Sequence, residues 1–322
     1  MLSGLTLAQT ALLLACGVGL DLMLGEARRW HPLVGFGNLA AWIERRLNRN
    51  GARFQFGTLL GALGWALAVL PLASLAAWLC NTGGLALHAA LLYFCLGLRS
   101  LRDHNLPIAQ ALQAGDLDSA RQLTARIVSR DTASASEADL AKASAESMLE
   151  NGNDAVFGTL FWFAVGGGAA ALLFRLANTL DAMWGYKSAR FLRFGCVAAR
   201  IDDVLNFIPA RLTALSYVLL ADDRRRAWTC WRTQSAAWPS PNAGPVMASG
   251  AGALNLALGG SATYDGVAEQ RPPLGAGAPA RASDIARAWV LVRSSTALWL
   301  GVAALAAVIG AVIPLLNGAQ HA

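Results

Sequence analysis

A long stretch without any charged side chain constrains this fold more than any other feature. Residues 57–98 contain no Asp, Glu, Lys or Arg. One membrane crossing needs roughly 20 residues, so the stretch is too long for one crossing and about right for two. Residues 81–84 read Asn-Thr-Gly-Gly, a composition typical of turns. We therefore predict a helical hairpin with arms at about 57–80 and 84–98.

Two further uncharged stretches lie at residues 1–20 and 294–322. Each is long enough for one transmembrane helix. A cleaved signal peptide is the alternative for the first stretch, but no basic leader precedes the apolar run, so a helix is favoured. Charged residues make up only 14% of the chain, against about 25% in ordinary soluble domains, which also favours a membrane protein.

The basic residues predict an orientation in the membrane. All 26 Lys and Arg lie within residues 25–56 and 99–293. Because cytoplasmic loops carry the excess of basic residues, both intervals are expected in the cytoplasm. The predicted fold is an all-α polytopic membrane protein with about three helices in 1–98, a basic loop at 25–56, a cytoplasm-facing helical section at 99–293 and a last helix at 294–322. No stripe of basic and aromatic residues indicates binding to nucleic acid.

Two apolar segments within the central section can be interpreted in two ways. Residues 155–174 are apolar enough to span the membrane, but spanning would move Lys187 and Arg200 outside unless residues 208–221 returned the chain. The returning segment is short and contains Arg211. We therefore predict that both segments are embedded helices, with two full crossings as the alternative.

Residues 99–154 have the composition of soluble helices. Ser134 and Glu137 have the spacing of a capping box, which predicts a helix that begins near residue 135. Gly152 is a typical terminator for that helix.

The same helix carries charged side chains at intervals of three or four residues, so they share one face. Such a stripe is usually a solvated face. Here it leads into an apolar segment, where carboxylates are costly unless they have partners, which favours a functional site. The stripe and its continuation are Asp139, Lys142, Glu146, Glu150, Asn153 and Asp154.

Two later groups mix acids, amides and bases within apolar surroundings. Such a group is either a buried ion network that joins helices or a polar site, and the residues alone do not decide between these. The first group is Arg175, Asn178, Asp181 and Lys187, and the second is Arg200, Asp202, Asp203, Asn206 and Arg211.

The segment after these groups is uncharged and rich in small residues. Pro239, Pro241 and Pro245 exclude a continuous helix before about residue 246. Asn242 is a candidate for binding phosphate at the start of the helix that follows. Residues 265–283, rich in Pro, Gly and Ala, are predicted to form a mobile loop.

Five ordered blocks resemble the CobD/CbiB family of cobalamin biosynthesis, the adenosylcobinamide-phosphate synthases. Two positions depart from the family pattern: Gly25-Glu26-Ala27 replaces Gly-Asp-Pro, and Asn242-Ala243-Gly244-Pro245 lacks the usual aromatic residue. The blocks are DLMLGEARRWHPLVGFG at 21–37, ARIVSRDTASASE at 125–137, AESMLENGNDAVFGTLFW at 145–162, NTLDAMWGYKSARFLRFGCVAARIDDVLNFIPARLTAL at 178–215, and SPNAGPVMASGAGALNLALGG at 240–260.

The resemblance implies an ATP-dependent amide ligation at the cytoplasmic face of a bacterial inner membrane. A carboxylate of adenosylcobyric acid would be joined to aminopropanol phosphate, or a related amino alcohol, giving adenosylcobinamide phosphate. The corrinoid is thus a substrate, and aromatic surface near Trp162 and Trp184 is expected to receive it. His31 is a candidate axial ligand, although the His-Pro turn explains this residue better. Other membrane-bound enzymes of the late cobalamin pathway are expected neighbours by family analogy.

This chemistry suits the charged residues. A carboxylate is a poor electrophile, so its activation, most simply as an acyl phosphate, calls for ATP, Mg²⁺ and fixed cations. The residue types do not decide which acid binds metal and which accepts a proton. The expected catalytic acids are Glu146, Glu150, Asp154 and Asp181, and the expected metal ligands are Asp202 and Asp203. The expected substrate and phosphate ligands are Arg126, Arg130, Asp131, Asn153, Asn178, Lys187, Arg200, Arg211 and Asn242.

Two other classes of function compete with a ligase. A non-enzymatic membrane sensor or regulator, like the AmpE group, would share the architecture without needing both the acids and the cations. A small transporter would use ionisable residues within the membrane as its pathway. The sequence contains no inverted repeat or pair of broken helices, which disfavours the transporter.

Overall fold

The computed structural model describes residues 3–26, 32–48, 56–264 and 266–319. The predicted helical character is confirmed, because helices form most of the described chain. Five described segments are long and apolar enough to cross a membrane: Leu7–Leu24, Gly57–Gln113, Glu137–Trp184, Cys196–Leu220 and Ala282–Ile313. The helices are α1 (Leu7–Leu24), α2 (Pro32–Leu47), α3 (Gly57–Cys95), α4 (Leu98–Gln113), α5 (Leu117–Thr124), α6 (Glu137–Gly152), α7 (Gly158–Trp184), α8 (Cys196–Leu220), α9 (Arg224–Gln234), α10 (Ala243–Leu254) and α11 (Ala282–Ala319).

The predicted break in the first apolar stretch is confirmed at Gly84. This residue has φ 62° and ψ −149°, a non-helical conformation inside α3. Such a backbone suits glycine because it has no Cβ to clash. Residues 81–83, predicted to belong to the turn, remain helical, so the interruption is a single residue.

Helix α7 folds back on itself, which a straight spanning helix would not do. Gly166 and Gly167 are non-helical, and Gly167 has φ 68° and ψ −159°. A Cβ added to Gly158 would lie 2.2 Å from the Phe174 ring. In a continuous helix, Gly158 and Phe174 would be separated by about 24 Å along the axis, because each residue adds about 1.5 Å. The apolar segment predicted at 155–174 is therefore a tight helical hairpin.

Replacing Gly167 with alanine is expected to destabilise this hairpin. The backbone conformation at Gly167 is one that essentially only glycine adopts, and a Cβ would also lie 2.5 Å from the His88 ring. We expect a loss of about 1–3 kcal/mol, measured as a lower melting temperature of the protein in detergent. Gly19→Ala is the control, because a Cβ at Gly19 meets no atom within 4 Å. Equal melting temperatures for both variants would contradict this description of the turn.

A small sheet corrects the all-α prediction. Strands β1 (Leu256–Tyr264) and β2 (Val267–Gly275) pair antiparallel, β3 (Ala278–Pro279) pairs parallel to β1, and the order is β2-β1-β3. The predicted mobile loop at 265–283 was wrong, because the prolines that suggested it lie on an edge strand, where proline is tolerated. The pairing runs Gly259 to Pro273 and Gly260 to Arg271, so Pro272 is the extra residue of a bulge.

The N-cap of α6 differs from the prediction, whereas the end of the helix at Gly152 agrees with it. Ser136, not Ser134, is the N-cap, and its hydroxyl accepts a hydrogen bond from the Asp139 backbone N–H. The α-helix ends at Gly152, and the chain continues directly into a π-helical turn at Asn153–Phe157. Glycine at position 152 also allows close packing, since a Cβ there would lie 2.9 Å from the Tyr217 hydroxyl.

The chain forms two compact units, each built from separate stretches. The first unit contains residues 1–97, 158–206 and 299–322, and the second contains residues 98–157 and 207–298. In the first unit, Phe36 and Ile43 of α2 share a buried core with Trp184 of α7.

The second unit is organised around α10, in which every residue is buried. Its small residues allow close packing. A Cβ on Gly250 would lie 2.8 Å from Leu149 of α6, and one on Gly252 would lie 2.8 Å from Ala227 of α9. α10 therefore holds α6 and α9 in close contact with itself.

Candidate active site

The charged face of α6 places three carboxylates on successive turns. Glu146 and Glu150 belong to α6, and Asp154 lies in the π-helical turn that follows. Turns of this kind occur frequently at functional sites. Glu146 is buried, whereas Glu150 and Asp154 are partly exposed.

Glu146 is the centre of a buried ion network. Its carboxylate accepts hydrogen bonds from Arg130 and from Nη2 of Arg271, the latter at 3.1 and 3.3 Å to its two oxygens. It also accepts one from the Gly259 backbone N–H at 2.7 Å. Both arginine side chains are themselves mostly buried, with 11% and 14% of their surface exposed. One carboxylate thus holds two guanidinium groups together.

Two more acids, Glu150 and Asp154, lie close enough to this network for their charges to interact. Glu150 interacts electrostatically with Asp154 and Glu146, which repel its charge, and with Arg271 and Arg130, which attract it. We call Arg130, Glu146, Glu150, Asp154 and Arg271 the α6 cluster. With three acids against two bases, the cluster has one acid more than it has bases, which suits a bound cation.

The α6 cluster also has hydrogen-bond donors that no described residue satisfies. Nη1 of Arg130 and Nε of Arg271 are buried and have no partner within the described ranges. An unsatisfied buried donor costs about 1–3 kcal/mol, more when charged. An anionic oxygen or an ordered water is the natural partner for these two groups.

Arg271 of the α6 cluster lies on β2, so the position of the β1–β2 hairpin places its side chain beside Glu146. Lys142 donates a hydrogen bond to the Ser261 carbonyl at 3.1 Å, and Asp131 accepts one from the Gly266 N–H at 2.7 Å. The Asp131 N–H donates in turn to the carbonyl of Thr263 at 2.8 Å. The structure thus places Asp131, a predicted substrate ligand, where it fastens the hairpin.

Asn153 connects the π-helical turn to α8. Its amide nitrogen donates to Asp154 at 2.9 Å, and its oxygen accepts from the Thr213 hydroxyl at 3.0 Å. Asn153 is buried, so these bonds hold Asp154 at the end of the acidic row.

Arg211 and Asn242 meet at the start of α10. Nη1 of Arg211 donates to the Asn242 side-chain oxygen at 2.7 Å, and Nη2 donates to the Pro241 carbonyl at 3.0 Å. The guanidinium also lies 3.6 Å from the centre of the Phe207 ring. Arg211 therefore secures the turn before α10, while Arg126, another predicted ligand, is exposed.

The predicted site residues are divided between the two units. Asp202 accepts hydrogen bonds from Asn178 at 3.3 Å and Asn206 at 3.0 Å. The second unit contains Arg126, Arg130, Asp131, Glu146, Glu150, Asn153, Asp154, Arg211 and Asn242, and the first contains Asn178, Asp181, Lys187, Arg200, Asp202 and Asp203.

The two predicted metal ligands are successive residues of α8. Asp202 and Asp203 therefore project about 100° apart around the helix axis. Asp203 lies in the field of Lys187. Across the described ranges, no group of three or more His, Cys, Asp or Glu residues is placed to hold a metal ion.

Arg271, which contributes to the site, was missed by sequence reasoning. Arg271 lies in the segment predicted as a loop, and its guanidinium lies 5.4 Å from the centre of the Trp238 ring. One sequence feature could have indicated Arg271, because it is the only basic residue between Arg232 and Arg281.

The expected aromatic surface for the corrin is wrong at Trp184. This side chain is only 1% exposed and packs edge-on against Phe194 at 5.1 Å, so it has no free face. Trp162 is partly exposed and donates a hydrogen bond to the Leu205 carbonyl at 3.0 Å. His31 lies outside the described residues.

Most of the chain is similar to known proteins of a single family. The family model described as CobD/Cbib protein matches residues 14–292. A cobalamin biosynthesis protein CobD of Stutzerimonas stutzeri is 54% identical over 87% of this chain and 92% of its own length. Proteins of the same name are 49% identical in Chromobacterium violaceum, over 94% of this chain and 99% of the relative, and 38% identical in Mycobacterium tuberculosis, over 86% and 89%.

No solved structure matches this chain. The family match covers both the α6 cluster and the β1–β2 hairpin that supplies Arg271. With the family model matching well over half of the chain, and relatives about half identical over nearly their full length, the chain belongs to the CobD/CbiB family of cobalamin biosynthesis proteins.

Proposed function

We propose that this protein is a ligase that joins a carboxylate of adenosylcobyric acid to the amine of aminopropanol phosphate, or a related amino alcohol, at the expense of ATP. The product is adenosylcobinamide phosphate. The observation that carries the proposal is the α6 cluster, in which two buried arginines and three carboxylates lie together. Activation of a carboxylate by phosphoryl transfer needs cations for the phosphate and acids for Mg²⁺ and for proton transfer.

The residues present fit ATP and Mg²⁺. The unsatisfied donors of Arg130 and Arg271 suit phosphate oxygens, since guanidinium groups bind phosphate through paired hydrogen bonds. Mg²⁺ usually takes one or two carboxylates, with water and substrate phosphates as its other ligands. Glu150 and Asp154 can supply that pair, because Glu146 is occupied by the two arginines. Asp202 and Asp203 are the alternative metal ligands.

Each residue then has a definite part in the reaction. Bound ATP would supply the phosphoryl group that turns the carboxylate into a better electrophile. Arg130 and Arg271 stabilise the negative charge on the phosphate, and Glu146 holds both guanidiniums in place. The amine of the second substrate displaces phosphate from the activated carboxylate and loses a proton. One carboxylate of the Glu150–Asp154 pair accepts that proton, while the other would remain available to Mg²⁺.

We further propose that the protein resides in a bacterial inner membrane with the α6 cluster on the cytoplasmic side. Five helical segments of suitable length and apolarity support a multi-pass protein. The orientation is supported by the basic residues, which lie in 25–56 and 99–293. ATP is available on that side, and other membrane-bound enzymes of the late pathway are proposed as neighbours.

A ligation assay on the purified full chain in nanodiscs tests this function. The complete mixture contains adenosylcobyric acid, aminopropanol phosphate, ATP and Mg²⁺. In control mixtures each component is omitted in turn. A further mixture contains ethanolamine phosphate in place of aminopropanol phosphate. We expect adenosylcobinamide phosphate only in complete mixtures. Corrinoid binding without product would contradict the ligase and favour a sensor or regulator of the AmpE kind. Product without ATP would contradict the proposed activation.

A further inference from the structure

Helix α9 presents an exposed face that the proposed chemistry does not use. The face repeats at helical spacing and combines basic and aromatic side chains. Trp228, at its centre, is 46% exposed. The exposed residues are Arg224, Arg225, Trp228, Thr229, Arg232 and Thr233.

The charge of this face is not balanced within the helix, which contains no Asp or Glu. The nearest acid in sequence, Asp223, accepts the Arg226 N–H as N-cap and pairs with the Arg226 side chain at 3.5 Å. Arg226 points inward, since its Nε donates to the Gly252 carbonyl at 2.8 Å. Asp222, which precedes the N-cap, is also exposed. Three exposed arginines against this one acid leave a net positive surface around an exposed tryptophan.

The inner face of α9 packs against α10, so the opposite face of the helix is the exposed one. Ala227 and Cys230 are buried, and a Cβ on Gly252 of α10 would lie within 3.0 Å of both. Burial also raises the pKa of the Cys230 thiol. This close packing sets which face of α9 is turned towards α10 and which is exposed.

The chain before α9 indicates which solvent surrounds this part of the molecule. The last three turns of α8 expose an apolar stripe at helical spacing, formed by Ile208, Leu212, Leu215 and Leu219. An exposed stripe of this composition suits lipid. The stripe ends at Leu220, and α9 begins at Arg224. Tryptophan and arginine directly beyond a lipid-facing helix are typical of the membrane–water interface.

A mostly apolar cavity of about 380 Å³ lies at the same junction. Leu220, Leu254, Val290 and Leu291 are among its lining residues. Asp222 and Arg287 also line it. The Arg287 side chain pairs with Asp284 at 2.7 Å and donates to the Leu254 carbonyl at 2.8 Å. The apolar part of the lining therefore suits a hydrocarbon chain.

We propose that α9 binds the headgroup of an acidic phospholipid, with Arg224, Arg225 and Arg232 contacting the phosphate and Trp228 at the interface, and that the adjoining cavity receives part of an acyl chain. This site is separate from the α6 cluster and does not depend on ligase activity. The choice of an acidic lipid rests on charge complementarity, because juxtamembrane arginines are attracted to anionic leaflets.

Titration of the full chain in a neutral detergent with two short-chain lipids tests this proposal. Dioctanoyl phosphatidylglycerol and dioctanoyl phosphatidylcholine are added separately, and the shift in melting temperature gives the affinity. We expect the acidic lipid to bind at least tenfold more tightly, with the difference shrinking as salt rises. Arg224→Gln with Arg225→Gln should weaken phosphatidylglycerol binding roughly 30-fold, at about one kcal/mol per arginine, and leave phosphatidylcholine unchanged.

Two further variants separate the headgroup from the acyl chain. Arg99→Gln with Arg102→Gln is the matched control, since it removes two partly exposed arginines that Asp103 already pairs at 3.1 and 2.9 Å, and we expect less than a twofold effect. Val290→Trp, which fills the cavity, should weaken both lipids alike.

Three results would overturn the proposal: equal binding of the two lipids, an unchanged affinity in the α9 double variant, or equal stabilisation by glycerol phosphate alone. The last would indicate a soluble phosphate ligand instead of a lipid.

Discussion

Glu150→Gln is expected to abolish most ligation while leaving the fold intact. The substitution keeps the shape of the side chain and removes one negative charge from a site where Glu146 and Asp154 already repel it. Removing that repulsion should not lower the melting temperature. Loss of a metal ligand or proton acceptor should instead reduce kcat by a factor of about 10²–10⁴.

The measurement is single-turnover ligation in nanodiscs, with a Mg²⁺ titration for each protein. A role as metal ligand predicts that high Mg²⁺ partly restores the rate, whereas a role as proton acceptor predicts no restoration. Glu137→Gln is the matched control, because Glu137 lies in the exposed first turn of the same helix and should keep its activity. A rate within threefold of wild type for Glu150→Gln would exclude Glu150 from the reaction.

Glu146→Gln should have a different consequence, a large loss of stability. The change leaves Arg130 and Arg271 buried without their shared anion. Breaking a buried ion pair from one side costs about 3–5 kcal/mol, because an uncompensated charge remains. The Gly259 N–H still finds an acceptor in the glutamine oxygen, so the expected loss is specific to charge.

Thermal and denaturant unfolding in one detergent measure this effect. Asp118→Asn is the control, since Asp118 is 88% exposed and its pair with Arg121 should contribute less than about 1 kcal/mol. Adding Arg130→Met to Glu146→Gln should recover part of the stability by removing one orphaned cation. If Glu146→Gln and Asp118→Asn each lost a similarly small amount of stability, Glu146 would not be the centre of a buried network.

The row of acids on α6 is the part of the site that the sequence predicts best. Glu146 and Glu150 are four residues apart, and helical periodicity alone brings them to one face. The break at Gly84 and the long apolar helices follow from similarly local rules, since apolar stretches and turn residues are read directly from the chain.

The partners of those acids could not be predicted in the same way. Arg271 reaches Glu146 from a strand 125 residues further along the chain. Its segment resembles a loop because of Pro272 and Pro273, and only pairing with β1 on one side makes it an edge strand. Strand pairing depends on distant residues, which local composition does not encode.

The sequence by itself determined a helical chain with membrane-length apolar segments, the acidic face of α6 and, through its family blocks, membership in the CobD/CbiB family. Only the tertiary structure decided that α7 doubles back at Gly167, that the predicted site residues divide between two units, and that Glu146 binds two arginines. The physical reason is the separation of the interacting residues along the sequence. Periodicity and the length of an apolar stretch are properties of neighbouring residues. Ion pairs and unit boundaries arise from contacts between distant parts of the chain.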